Sequence, residues 1–277
     1  MPGRSTLVGQ VLLVAAIASA CKGSSKANAN PNSAPAEPIT VAAAADLRFA
    51  FKEMGDAFEK KTGRKVVFSF GSTGLLAKQI SDGAPFDVFA AANVSFVDDV
   101  LKTGSCEPDT KALYARGRIV LFTTKEAAAK PASLGDLADP KFARIAIANP
   151  EHAPYGKAAK EALTKAGLWE KVSPKIVYGE NVQQTLEFAE SGNADAAIVA
   201  LSLATVTPGD YIAVDPRLHA PIDQALVVCK GAQEDKGAKE PAARAFVALV
   251  GSEDGRAIMR RYGFLLPNES MVEANQR

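Results

Sequence analysis

The chain has 277 residues, of which 47% are hydrophobic and 23% are charged. This composition excludes a wholly disordered chain and supplies enough apolar surface for one large domain or two modest ones. The 32 Lys and Arg residues nearly balance the 31 Asp and Glu residues, for a formal net charge of +1. Because no strong overall field attracts the chain to nucleic acid or to an anionic membrane, we expect no nucleic-acid partner and a local site for any bound anion.

Residues 1–21 have the pattern of an export signal. Arg4 precedes the apolar run Val11–Ile17, which is shorter than the ~20 residues that a membrane-spanning helix needs. The small residues Ala18-Ser19-Ala20 before Cys21 resemble a bacterial lipobox, in which the cysteine is lipidated and becomes the mature N-terminus. The same small residues also fit ordinary cleavage, which would release a soluble periplasmic protein. We therefore expect an exported chain that is anchored through Cys21, with release into the periplasm as the alternative.

Residues 22–38 are rich in Ser, Asn, Ala and Pro, lack core-forming side chains and are predicted to be a flexible linker. From Ile39 onward, strand patterns alternate with helix patterns, which is typical of an α/β fold. The predicted strands span residues 39–44, 65–70, 87–91, 118–123, 145–148, 175–178, 196–200, 211–214 and 225–228. The predicted helices span residues 49–61, 75–81, 96–103, 133–137, 156–166, 182–191, 242–250 and 255–262.

Two apolar strands, at 118–123 and 222–228, are separated by a long stretch that contains a complete α/β pattern of its own. We predict that they are paired crossovers, along which the chain leaves one lobe and later returns to it. Lobe I would then comprise residues 39–118 and 222–277, and lobe II residues 119–221. Such an arrangement is typical of a protein with a cleft between two lobes and a two-strand hinge.

Besides Cys21, the chain has Cys106 and Cys229. In an oxidising compartment the two could form a disulfide. Cys229 follows the apolar run Ala225–Val228, which favours a lone buried thiol instead. The sequence leaves both alternatives open.

Catalytic patterns are sparse. The only two histidines are His152, in a turn sequence, and His219. There is no Gly-x-Ser-x-Gly elbow, and Gly71–Lys78 lacks the glycine that precedes the lysine of a phosphate-binding P-loop. The sequence therefore predicts no catalytic residues, no metal cluster and no enzyme. An exported hydrolase remains the alternative from another class, and it would need one of these histidines beside a nucleophile.

The stretch Val66–Ile80 predicts a strand, a tight turn and a helix start. At such a start, free backbone N–H groups and the hydroxyls of Ser72 and Thr73 form a seat for an anion. Similar turns with small or hydroxylic residues occur at 42–47, 150–156 and 179–182, so that each predicted lobe contains two. Together they predict a site for a small oxyanion that is bound by N–H and O–H donors.

Several motifs carry a family resemblance, in order, from about residue 39 to residue 264. They are Ala43–Leu47, Phe68–Gly74, Leu76–Ile80, Gly83–Phe89, Asn149–Gly156 and Arg261–Phe264. In combination they resemble the periplasmic molybdate-binding proteins of ABC importers. The resemblance implies a two-lobed, type II-like periplasmic binding-protein fold, molybdate or tungstate as ligand, and no cofactor. It further implies an ABC permease in the inner membrane as partner, and we expect a monomer.

Carried over by motif, the ligand-contacting positions of that family fall on Asp46, Thr73, Tyr155, Val182 and Ala200. Ser72 is a close rival to Thr73, and the backbone N–H of Leu47 is a further candidate donor.

Two of these positions depart from the family pattern. Asp46 stands where many members have a hydroxylic residue, and Ala200 where many have a tyrosine. We expect the Asp46 carboxylate to cap the helix that begins near Phe49, although a protonated carboxyl could donate to the anion if its pKa were raised. We expect the Tyr155 hydroxyl to offset the loss at Ala200. These departures keep sulfate, thiosulfate or another oxyanion open as alternative ligands.

Overall fold

Two five-stranded sheets organise the part of the chain that the structure describes. The computed structural model describes residues 37–231, 236–267 and 269. Its strands are β1 (Ile39–Ala44), β2 (Val66–Gly71), β3 (Val88–Ala91), β4 (Ala112–Gly117), β5 (Ile119–Thr123), β6 (Ile145–Ala148), β7 (Ile176–Gly179), β8 (Ala196–Ala200), β9 (Asp210–Ala213) and β10 (Ile222–Val228). The strand order is β2-β1-β3-β10-β4 in the first sheet and β7-β6-β8-β5-β9 in the second. The α/β class predicted from the sequence is confirmed.

Helices cover both sheets. They are α1 (Arg48–Thr62), α2 (Thr73–Ser81), α3 (Val94–Lys102), α4 (Pro154–Lys165), α5 (Trp169–Val172), α6 (Val182–Glu190), α7 (Leu201–Ala204), α8 (Lys236–Gly251) and α9 (Glu253–Arg261). A search of the described helices finds none that combines the length and the apolar character needed to cross a membrane. The predicted export signal with Cys21, and the predicted linker as far as residue 36, lie outside the described residues.

The central strands are short, almost continuous apolar runs, as expected for strands buried on both faces. In the first lobe, Phe51 of α1 and Phe246 of α8 pack edge to face with ring centroids 5.9 Å apart. In the second lobe, Phe122 and Ile145 are fully buried. Strand β1 pairs in parallel with β2 and β3, and β6 with β7 and β8. Parallel pairing brings the carboxyl ends of these strands to one edge, where the following helices begin.

The hinge differs in one respect from the prediction. Strand β4, which the sequence did not predict, pairs antiparallel with β10, so that Gly117 lies opposite Ile222. Only Arg118 separates β4 from β5, and β5 pairs with β8 and β9 in the second sheet. The neighbour of β10 is therefore β4, and the predicted pairing of 118–123 with 222–228 is wrong. The chain still crosses between the sheets twice, at Arg118 and between β9 and β10, while the predicted lobe limits stay a prediction.

Cys106 and Cys229 form a disulfide, with an S–S distance of 2.04 Å. The loop after α3 runs beside the end of β10, where the N–H of Glu107 donates to the carbonyl of Val228 and that of Lys230 to Ser105. This pairing of distant segments brings the two cysteines together. The expectation of a lone buried thiol at Cys229 is wrong because only the apolar run around it was visible in the sequence.

Replacing both cysteines by serine should lower the stability of the protein. The disulfide closes a loop of 123 residues, and removing such a restraint from the unfolded chain costs about 2–5 kcal/mol. Urea denaturation of Cys106→Ser/Cys229→Ser should show this loss in the free energy of unfolding. Wild-type protein kept reduced with a thiol is the matched control and should lose a similar amount. Equal stability of the oxidised, reduced and doubly substituted proteins would show that the disulfide does not form.

Candidate functional site

The turns that follow β1, β2, β6 and β7 meet at a small cavity between the two lobes. Strands β1 and β2 belong to the first sheet, and β6 and β7 to the second. The cavity has a volume of about 10 Å³, which is room for about one water molecule. A tetrahedral oxyanion therefore needs the walls to move slightly outward. The lining residues are Ala44, Ala45, Asp46, Gly71, Ser72, Thr73, Ala92, Ala153, Pro154, Tyr155, Asn181 and Val182.

Helices α2, α4 and α6 begin at this cavity, at Thr73, Pro154 and Val182. The first turn of a helix has backbone N–H groups without partners inside the helix, and it carries the positive end of the helix dipole. In α6, the side chain of Asn181 accepts from the N–H groups of the second and third helical residues. The Asn181 side chain does not bind the N–H of Val182, which therefore stays available as a donor. In α2, the N–H of Gly74 donates to the carbonyl of His152 in the other lobe. The N–H of Thr73, one residue earlier, stays available as a donor.

Thr73 and Ser72 have different roles in the structure. The Thr73 hydroxyl is buried and accepts a hydrogen bond of 3.2 Å from the N–H of Ala92. Because a hydroxyl that accepts one bond can still donate its own hydrogen, Thr73 can offer a donor to the cavity. The Ser72 Oγ lies 2.8 Å from His152 Nδ1 and 2.7 Å from the carbonyl oxygen of His152. Ser72 therefore joins the two lobes, and of this pair Thr73 is the better placed donor for an anion.

The contact between Ser72 and His152 bears on the hydrolase alternative, because it places a hydroxyl beside a histidine. Within the described residues, no carboxylate is hydrogen-bonded to His152, so the third member of a Ser-His-Asp arrangement is lacking there. The other histidine, His219, contacts the carbonyl of Ala220 through Nδ1 and does not line the cavity. The Ser72–His152 pair is best interpreted as a contact that holds the lobes together.

Asp46 is only 1% exposed and lies in a 3₁₀ turn, Ala45–Leu47, between β1 and α1. Its Oδ2 accepts two hydrogen bonds, one of 2.8 Å from the Tyr155 hydroxyl and one of 2.6 Å from Gln224 Nε2. Its Oδ1 is buried and has no hydrogen-bond partner among the described residues. Burial raises the pKa of this carboxyl to about 6, although the hydrogen bonds from Gln224 and Tyr155 lower it in part.

The predicted role of Asp46 as a helix cap is wrong. Neither the 3₁₀ turn nor α1 has a side-chain cap at its N-terminus, because the Asp46 carboxyl is turned toward the hinge and the other lobe. The expectation for Tyr155 also needs correction. Its side chain does line the cavity, but its single hydroxyl hydrogen is donated to Asp46 rather than left free for an anion.

Asp46, Tyr155, Gln224 and Tyr114 form one hydrogen-bonded cluster. The sequence interpretation missed two of its members, Gln224 of β10 and Tyr114 of β4. The Tyr114 hydroxyl donates to Gln224 Oε1 at 2.8 Å, and this contact directs the amide nitrogen of Gln224 to Asp46. Gln224 is fully buried. A glutamine beside the apolar run Ala225–Val228 was the available signal, because a buried amide must find partners.

The remaining predicted positions are placed as follows. Val182 lines the cavity at the start of α6. Leu47 is fully buried and does not belong to the lining, and Ala200, at the end of β8, is likewise buried outside it. The lining contains no lysine, arginine or histidine, so an anion here would be bound by neutral dipoles. Direct contact between these residues and an anion stays a prediction.

Comparisons with known proteins agree with this arrangement. The family model for bacterial extracellular solute-binding proteins matches residues 39–265. The molybdate-binding protein ModA of Rhodobacter capsulatus is 35% identical over 236 residues, which cover 84% of this chain and 90% of that protein. The periplasmic molybdate-binding protein of Azotobacter vinelandii matches in structure with a TM-score of 0.75 and 30% identity, over 83% of this chain and all of that one. The substrate-binding domain of a putative molybdenum ABC transporter from Clostridium difficile matches with a TM-score of 0.61 and 28% identity, over 84% and 100% of the two chains.

Substituting Gly74 by alanine should hinder closure of the lobes. A Cβ at this position would lie 2.8 Å from the carbonyl oxygen of His152, the atom to which the Gly74 N–H donates. Such overpacking costs about 1–3 kcal/mol, equivalent to roughly a 5- to 150-fold loss of affinity for any ligand that needs the closed form. Titration with molybdate, together with small-angle scattering of the saturated protein, should show weaker binding and a larger radius of gyration.

The matched control is Gly251→Ala, at the end of α8, where an added Cβ would meet no atom within 4 Å. This variant should bind and close like the wild type. Normal affinity and normal compaction of Gly74→Ala would mean that the Gly74–His152 contact is not part of the ligand-bound state.

Proposed function

This chain belongs to the family of bacterial extracellular solute-binding proteins, and we propose that it captures molybdate outside the cytoplasm and delivers it to an ABC permease. Sequence relatives from Rhodobacter capsulatus, Azotobacter vinelandii and Escherichia coli are molybdate-binding proteins. The solved structures at 30% and 28% identity are a molybdate-binding protein and the substrate-binding domain of a putative molybdenum transporter. Tungstate, which has the same shape and charge, is proposed as a second ligand. In this proposal the protein is a binding protein without catalytic activity.

The observation that carries the proposal is that three helix starts and a 3₁₀ turn converge on one cavity, and that the lining of this cavity contains no lysine, arginine or histidine. Each start contributes backbone N–H groups and the positive end of a dipole, which together favour an anion. The Thr73 hydroxyl, held by the N–H of Ala92, adds a fixed O–H donor. Donors of this kind can surround all the oxygens of a small tetrahedral anion.

Selectivity in such a site follows from size. Sulfate and molybdate have the same charge and shape, so neutral donors cannot distinguish them by electrostatics alone. Molybdate and tungstate are larger than sulfate, and a ring of donors on rigid helix starts fits one radius best. Contacts across the cleft such as Ser72–His152 and Tyr155–Asp46 limit how far the lobes can separate around a bound anion, and so restrict the diameter of the ring.

The location of the protein follows from its family and from its N-terminal sequence. Solute-binding proteins of this family act outside the cytoplasm. We propose that residues 1–21 direct export and that Cys21, which lies outside the described residues, is lipidated to anchor the protein beside its permease. We further propose that the protein works as a monomer, because a two-lobed binding protein presents one closed surface to the transporter.

Calorimetric titration with molybdate, tungstate and sulfate tests the proposed function. Molybdate and tungstate should bind at least about tenfold more tightly than sulfate, a difference of about 1.4 kcal/mol that a fixed donor ring can supply. The stoichiometry should be one anion per chain. Displacement of bound molybdate by sulfate at comparable concentration would contradict the proposed ligand, and no binding of any of the three would contradict the proposed class.

A second prediction concerns the hydroxyl of Thr73. Thr73→Val removes a donor to the anion and leaves the Ala92 N–H without its acceptor. A hydrogen bond to a charged group contributes about 1.5–3 kcal/mol, so molybdate affinity should fall roughly 10- to 150-fold. Thr73→Ser keeps the hydroxyl and is the matched control, with affinity near that of the wild type. Equal losses in both variants would point to packing of the methyl group rather than to the hydroxyl.

A further inference from the structure

The Oδ1 atom of Asp46 is an unusual component of an anion site. Asp46 lines the cavity, and its Oδ1 is buried without a hydrogen-bond partner among the described residues. The Tyr155 hydroxyl and the Gln224 amide both bind to Oδ2. A buried polar atom without a partner is costly, so Oδ1 needs either a proton or a ligand, or both.

An ionised carboxylate cannot hydrogen-bond to a fully deprotonated oxyanion, because the oxygens of both groups only accept hydrogen bonds. When a proton lies on the carboxyl, the group becomes a donor. The two hydrogen bonds at Oδ2 occupy that oxygen and leave Oδ1 as the atom that carries the proton. A protonated Oδ1 would then complete the donor ring with a neutral O–H group.

The charged and titratable groups around Asp46 do not supply its Oδ1 atom with a partner. Tyr155 approaches from α4 and Tyr114 acts from β4 through Gln224, and burial followed by the charge of Asp46 raises the pKa of both tyrosines well above its ordinary value. Both therefore stay protonated in the physiological range. From α7, the neutral hydroxyl of Ser202 donates to the backbone carbonyl of Asp46.

Two basic side chains, one at the hinge and one in the cleft, have other partners. Arg118, at the hinge, donates to the carbonyl of Gly263. His152, on the turn before α4, contacts Ser72. Thus no described lysine, arginine or histidine contacts the Asp46 carboxyl, and its charge is compensated only by hydrogen bonds.

We propose that Asp46 couples anion capture to a proton: the dianion binds to the form in which Oδ1 is protonated, and this O–H donates to a ligand oxygen. When Asp46 is ionised in the free protein, one proton is taken from solvent for each anion bound. The protein, one dianion and one proton combine, and no bond of the ligand is broken. The inference rests on the proposed function and specifies how that site distinguishes charge states.

The proposal fixes the direction in which the affinity for the anion changes with pH. Burial places the pKa of Asp46 at about 6 in the structure. In the open, ligand-free protein water reaches the carboxyl, so its pKa lies below this value. At pH values where the carboxyl of the free protein is already protonated, affinity should not change with pH. Above the pKa of the closed form, the competent fraction falls about tenfold for each pH unit, and the observed affinity falls with it.

Calorimetry between pH 7.5 and 9 tests the proposal with molybdate as the probe. Titrations in two buffers with different ionisation enthalpies give the number of protons taken up. The wild-type protein should take up close to one proton per molybdate and should lose about tenfold in affinity per pH unit.

The Asp46→Asn variant stays neutral at every pH while offering an oxygen to Tyr155 and Gln224 and an N–H to the cavity. It should bind molybdate with no proton uptake and no pH dependence in this window, and at pH 9 more tightly than the wild type by at least about tenfold. Asp82→Asn is the matched control, because Asp82 is an exposed carboxylate directly after α2, paired with Lys78, and its loss should leave proton uptake intact.

Tight binding by the wild type without proton uptake would overturn the coupling and leave the proposed function standing. Proton uptake that persists in Asp46→Asn would assign it to another group and would also overturn the proposal. Failure of both proteins to bind molybdate at any pH would instead remove the proposed function. If Asp46→Asn does not fold, the proton uptake and pH slope of the wild type decide the matter alone.

Discussion

The hydrogen bond from the Tyr155 hydroxyl to Asp46 is the contact on which the closed arrangement of this protein depends. It joins α4 of one lobe to the turn after β1 of the other, between two side chains that are almost fully buried. Gln224 and, through it, Tyr114 extend the same cluster into the hinge strands β10 and β4. Separating buried hydrogen-bonding partners is costly, so the cluster favours one relative position of the lobes.

The hinge itself is shaped to admit this contact. Gly117 ends β4 opposite Ile222 of β10, and a Cβ on Gly117 would lie 2.1 Å from the Tyr155 hydroxyl oxygen. Only a residue without a side chain lets Tyr155 reach Asp46 past the crossing strand. The close approach of the lobes at Gly74 follows the same principle, since its N–H binds the carbonyl of His152 and leaves no space for a methyl group. Thus two glycines, one at the hinge and one at a helix start, set how far the cleft can close.

Much of this architecture could be predicted from local patterns. The apolar strands, the helices between them and the small or hydroxylic residues at helix starts are all encoded within a few neighbouring positions, so their order and type follow from the sequence. Strand β4 was missed because it lies at the edge of its sheet and exposes Leu113, which blurs the apolar alternation that marks a strand. Most apolar residues of β1, α1 and β3 are buried, so the pattern of these elements is clear in the sequence.

The chemistry of the site depends on pairs that no local pattern contains. Asp46 is 109 residues from Tyr155 and 178 from Gln224, and Cys106 is 123 residues from Cys229. From the sequence, a carboxylate just before a helix is most simply interpreted as a cap, because that is the commonest use of aspartate at a helix start. The tertiary fold overrides this preference by offering Asp46 two buried donors.

Burial also connects lobe closure with the state of the carboxyl. The raised pKa of Asp46 has burial as its main cause, and in the closed form Tyr155 of the opposite lobe covers it. When the lobes separate, water reaches the carboxyl and its pKa falls back toward the ordinary value, so the group ionises at neutral pH. An ionised Asp46 would repel the dianion that its neutral form had helped to hold. Opening would therefore weaken binding in two ways, by separating the donors of the ring and by placing a negative charge in it. If a hydroxyl side chain replaced Asp46, opening would weaken binding only by separating the donors of the ring.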